Sequence, residues 1–136
     1  MKAPEVPLSW GELIDKITIL EIKSSRLKSP AALANVNKEL KLLALHGEAA
    51  LHSAEVPVLK RRLSQVNEAL WEIEDKIRAK EARQEFDAEF IDLARSIYKR
   101  NDERAAIKQQ INTALASDLV EEKSYHPHLK ARFSEL

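Results

Sequence analysis

The sequence predicts an all-α fold, a four-helix antiparallel bundle whose second half is a long helical hairpin. Three observations point there. Only two glycines occur in 136 residues, too few for the positive-φ turns of β-hairpins or for phosphate-cradling loops. Apolar residues recur at spacings of three and four through most of the chain, the period of a helix with one buried face. Helix-start signals, Ser9-Trp10-Gly11-Glu12 and Ser29-Pro30, stand just before two of those periodic runs.

Taken in order, residues 1–8 contain Pro4 and Pro7 and read as an extended arm. Ser9 begins the first helix as the N-cap of an S-x-x-E capping box, with Leu8 placed to staple against Leu13. The spacing carries this helix to about Leu27. Ser29 as N-cap and Pro30 at the first helical position open a second helix, expected to reach about His52. Its apolar stripe is Leu33, Val36, Leu40, Leu43, Gly47 and Leu51. After a break at Val56-Pro57, a third helix carries Leu59, Leu63, Val66, Leu70, Ile73 and Ile77. That four-three alternation is a heptad seam, too short for a free coiled coil, so an antiparallel partner is expected. A turn at Phe86-Asp87, with Asp87 as N-cap, would supply it. One unbroken helix is the alternative, because neither Gly nor Pro marks that turn. The fourth helix is expected to end near Ser117, followed by a C-terminal tail over 118–136 that wraps over the bundle or frays. The chain reads as one domain over 1–136.

Composition narrows the function classes. The chain is 44% hydrophobic and 32% charged, ordinary for a folded helical domain. Lys and Arg number 22, as do Asp and Glu, so no basic excess favours nucleic acid or an anionic membrane. No cysteine is present, which removes disulfide and thiol chemistry and fits a reducing compartment. No apolar run approaches the roughly 20 residues that span a bilayer, and the N-terminus lacks the apolar centre of a signal peptide. A soluble, cytoplasmic protein without a membrane or nucleic-acid partner is expected.

The informative residues are polar ones on apolar faces. On a wheel of about 100° per residue, the fourth helix sets Phe90, Leu93, Ala94, Ile97, Ile107, Ile111 and Leu115 on one face. Asn101, Arg104, Lys108 and Asn112 fall in the middle of that face. The helix is thus apolar along the first half of its inward stripe and polar along the second. In the first helix, Glu21 sits at the centre of the face formed by Trp10, Leu13, Ile14, Ile17, Leu20 and Ser24. A carboxylate there is costly unless paired, so Glu21 is expected to meet Arg104 or Lys108. Asn67, Trp71 and Glu74, with Arg78, follow the third-helix seam and could form a wall of the same pocket. As local charge runs, Asp15-Lys16 and Asp102-Glu103-Arg104 read as solvated charges. Two readings stay open: a satisfied network that fixes helix register, or an anion site. The hairpin is expected to pack near its turn and to hold any ligand at its open end.

No nucleophile elbow, zinc-protease helix, P-loop or dinucleotide fingerprint occurs, so the catalytic residues are unknown. His126-Pro127-His128, near Glu121 and Glu122, reads as a surface tail rather than a metal site. No cofactor and no metal are expected.

Three stretches also carry a resemblance. Val6-Pro7-Leu8-Ser9-Trp10-Gly11-Glu12-Leu13-Ile14-Asp15-Lys16-Ile17-Thr18-Ile19-Leu20-Glu21-Ile22-Lys23 resembles the opening of an uncharacterised family of short bacterial all-helical proteins. Val66 to Arg78 and Ile97 to Lys108, the latter followed by Ile111-Asn112 and Glu121-Glu122-Lys123-Ser124-Tyr125, resemble later parts of that family. The resemblance implies a bacterial stand-alone domain and no particular activity. It places Glu21, Asn67, Trp71, Glu74, Asn101, Arg104, Lys108 and Asn112 within or beside its motif stretches. The first helix also faintly resembles that of the all-helical chorismate mutases. Gly11, Thr18 and the early stop at Ser29-Pro30 depart from that pattern and set the likeness aside.

These features favour a non-enzymatic helical module acting through a protein partner, a second copy first among them. The alternative is a small-anion or sugar-phosphate site between the first and fourth helices.

Overall fold

A computed structural model describes residues 1–124 of the chain. Among these residues 75% are helical and no strand occurs. Four helices form: α1 (Trp10–Arg26), α2 (Pro30–Gly47), α3 (Val56–Ala82) and α4 (Ala88–Ala114). The expected four-helix fold with a long C-terminal hairpin is present, and local chemistry explains each start. The Ser9 hydroxyl accepts from the Glu12 amide at 3.2 Å, and that of Ser29 from the Ala32 amide at 3.3 Å. Asp87 accepts from the Phe90 amide at 2.9 Å. Each satisfies one of the donors that a helix N-terminus leaves orphaned. Pro57 sits in the first turn of α3, where no amide is needed.

The second helix is shorter than its periodicity suggests. It stops at Gly47, and the chain tightens into a 3-10 turn over Ala49–His52. Gly47 is buried against α1, where a Cβ would lie 2.7 Å from the Ile17 Cδ1. The missing side chain lets α2 close on α1. The following turn then sends Ala50 into the core and leaves Leu51 exposed, outside the expected stripe.

Helix α1 is the centre of the molecule. It touches each of the other three, while α3 and α4 touch each other and α2 leans only on α1 and the 3-10 turn. Consequently α1 buries two stripes. One is apolar, with Leu13, Ile14, Ile17 and Leu20; the other is Gly11, Asp15, Thr18 and Ile22, spaced four, three and four. The core fills the space between α1, the start of α3 and the end of α4, around Ile14, Val56, Leu63 and Ile111, all nearly solvent-free.

This placement corrects the expectation that the hairpin packs near its turn. The buried apolar residues of α3 end at Leu70, and those of α4 begin at Ala105. Closer to the turn, Ile73, Ile77, Phe90, Leu93, Ala94 and Ile97 are half-buried. Length explains the difference. At about 1.5 Å per residue, α1 spans about 25 Å and each hairpin helix about 40 Å, so α1 covers only the open-end part. Among the described residues, no helix is long and apolar enough to cross a membrane.

Candidate functional site

The polar half of the α4 stripe faces α1, and a carboxylate answers it there. That carboxylate is Asp15, not Glu21. Asp15 is 0% exposed. Arg104 grips it with two donors: Nε reaches Oδ1 at 2.9 Å and Nη2 reaches Oδ2. Asn67 on α3 donates from Nδ2 to Asp15 Oδ1 and to Thr18 Oγ1, each at 2.9 Å. The Thr18 hydroxyl in turn donates to the Asp15 carbonyl at 2.7 Å. One buried carboxylate thus joins three helices through a forked ion pair, the strong form of such bonds. This pairing also raises the affinity of the Arg104 guanidinium for its proton.

One turn further along α4, Lys108 makes a second clasp. Its side chain is 8% exposed, and its Nζ lies 2.7 Å from both Glu12 Oε2 and Glu121 Oε2. Burial alone would lower the Lys108 pKa. Hydrogen bonds to the two carboxylates outweigh that and leave it above the ordinary lysine value. Glu121 is held below the usual carboxylate range, chiefly by Lys108. It reaches the site from the non-helical segment beyond α4.

Residues at the C-terminal end of α4 close the start of α1. Asn112 Oδ1 accepts from the Gly11 amide at 2.7 Å, and the Ser117 hydroxyl from the Trp10 amide at 3.3 Å. Gly11 is required by this approach, because a Cβ would run into the backbone carbonyl of Lys108. Between α1, α4 and the C-terminal segment lies an open cleft of about 250 Å³, lined chiefly by Glu12, Asn101, Arg104, Lys108, Glu121 and Lys123. Among the described residues, every buried side-chain nitrogen and oxygen has a partner.

The residues singled out from sequence therefore divide. Asn67 and Arg104 meet on Asp15, Asn101 and Lys108 line the cleft, and Asn112 caps α1 beside it. Glu21 lies elsewhere, 46% exposed and paired with Lys60 at 3.0 Å. Six residues separate it from Asp15, about 240° around the helix, so Glu21 does not share the face that Asp15 turns to Arg104 on α4. Trp71 packs under the Arg26 guanidinium, which stands 5.8 Å from its ring, and Glu74 is exposed; neither joins the cleft. Asp15, which reads as a solvated charge in the sequence, is instead buried and paired. Its signal was the register of Gly11, Asp15, Thr18 and Ile22, visible only if α1 is allowed two buried faces. Among the described residues, no group of three metal-ligating side chains gathers. His126 and His128 lie outside those residues.

Fold and site together define an all-helical domain whose central helix is locked by two ion-pair clasps. The chain belongs to the family of unknown function DUF6165, whose family model matches residues 4–133. No curated protein and no solved structure matches it.

Proposed function

We propose that this chain is a non-enzymatic helical interaction module that self-associates through the turn-side half of its α3–α4 hairpin. The observation that carries this reading is the division of one stripe. Phe90, Ala94, Ile97, Asn101, Arg104, Lys108 and Asn112 follow each other at helical spacing, and Arg104, Lys108 and Asn112 bond to α1. The apolar members remain half-buried, with Phe86, Ile91 and Tyr98 exposed near them. A two-helix arm whose apolar stripe is only half-buried among the described residues is half of a four-helix bundle. A second copy, related by a two-fold axis, would complete it. Charge supports that occupant. Glu74 and Arg78, exposed on α3 and opposite in sign, can each face the other's counterpart in an antiparallel copy.

Sedimentation equilibrium of the wild-type chain beside Ile91→Glu and Tyr98→Glu tests this. Both side chains are exposed in the single chain, so folding is not at stake. A concentration-dependent dimer that either substitution converts to monomer is the expected result. A wild-type monomer throughout the concentration range, or a dimer indifferent to both charges, overturns the reading.

A further inference from the structure

The Lys108 clasp contains two carboxylates of different kinds. Glu12 is fixed on α1 next to its N-cap. Glu121 arrives on a segment without regular secondary structure, after α4 has ended in a left-handed residue at Ala116. We propose that the cleft beside Lys108 is a binding site for a small carboxylate-bearing metabolite, and that Glu121 occupies it in the free protein as an internal stand-in.

The geometry supports a built site. The Lys108 ammonium is nearly enclosed and is aimed by α4, while Glu12 braces it from α1. Its remaining reach is directed at Glu121, at 2.7 Å. Arg104 uses Nε and Nη2 on Asp15, leaving Nη1 outside that pair, and the residue remains 27% exposed beside the cleft. Lys123 stands 3.3 Å from the other Glu121 oxygen. With Glu121 in place, the Lys108 ammonium is shared between Glu12 and Glu121. Withdrawing the Glu121 carboxylate leaves this largely buried cation with Glu12 as its one remaining carboxylate partner among the described residues. That vacancy has the charge and hydrogen-bond pattern of a carboxylate, because a carboxylate fills it now.

The occupant is tethered by a non-helical segment rather than built into a helix. Ser117 anchors the segment, accepting from the Trp10 amide and donating to the Leu119 carbonyl at 2.7 Å. Beyond it, Glu121 is held chiefly by its two lysines. A carboxylate tethered so closely competes at an effective concentration of about millimolar. An external ligand must exceed that level to enter.

Titration calorimetry with succinate as the probe tests the proposal on the wild type, Glu121→Ala, and Glu121→Ala combined with Lys108→Met. Inorganic phosphate at matched ionic strength serves as the second arm. Far-ultraviolet circular dichroism confirms that each variant retains its helices. Glu121→Ala is expected to bind succinate about tenfold more tightly than wild type, since the internal competitor is gone. Adding Lys108→Met is expected to abolish the gain. Equal affinity in wild type and Glu121→Ala overturns the proposal, as does tightened binding that survives Lys108→Met. Phosphate binding as strong as succinate binding would overturn the assignment to carboxylates.

Discussion

Asp15 and Arg104 are unequal partners. The Asp15 side chain is fully enclosed, whereas the Arg104 side chain is 27% exposed. Removing the arginine strands a buried charge; removing the aspartate leaves a cation that can turn toward water. Arg104→Met, which keeps the stem volume, should therefore destabilise the fold by about 3 kcal/mol, near the lower end for breaking a buried pair. Asp15→Asn retains an acceptor for Asn67 and should cost about 1–2 kcal/mol. Chemical denaturation of the two variants checks the order, and an Asp15→Asn loss exceeding that of Arg104→Met would contradict the picture. The sequence made Arg104, Lys108 and Asn112 legible, because each interrupts an apolar stripe, and Asn67 because it heads a polar row beside the α3 seam. It did not make Asp15 legible, because a residue beside a stripe looks solvated until a third helix is known to lie there. Glu21 lies toward Lys60 of α3, while the α4 guanidinium meets α1 at Asp15.

Each long helix ends without glycine. After α3 the left-handed position is Gln84, and after α4 it is Ala116. Both ends nonetheless close with the paired bonds of a Schellman motif: Glu85 N–H to Lys80 O at 2.9 Å with Gln84 N–H to Glu81 O at 3.0 Å, and Ser117 N–H to Asn112 O at 2.8 Å with Ala116 N–H to Thr113 O at 3.2 Å. The turn after α3 is braced by Lys80, whose Nζ lies 2.9 Å from Asp87 and 3.2 Å from Glu89. That ion cluster does what a glycine or proline would do elsewhere. Holding an L-residue left-handed costs about 1–2 kcal/mol, part of which glycine returns as chain entropy. Gln84→Gly should accordingly stabilise the protein by about 1 kcal/mol, seen as a raised thermal midpoint. A lowered midpoint would show that Gln84 makes contacts worth more than the strain. Helix starts were legible because Ser9, Ser29 and Asp87 announce them chemically. The ends were less so, since the two long helices stop at residues without a helix-breaking side chain.

At the scale of the whole molecule, α1 divides the hairpin. The four-three spacing of α3 and the change from apolar to polar along α4 could be read from sequence. Which half would be covered could not, because it depends on where a shorter helix docks. The polar half proves to be the locked half, through Asp15, Glu12 and the Gly11 amide, while among the described residues the apolar half near the turn is only half-buried. Amide hydrogen exchange measured across a range of protein concentrations tests this division most directly. The expected result is strong, concentration-independent protection of α1 and of α4 from Arg104 to Asn112, with protection of α4 from Phe90 to Ile97 that rises as the chain self-associates. Equal protection along the whole of α4, unchanged by concentration, would contradict it.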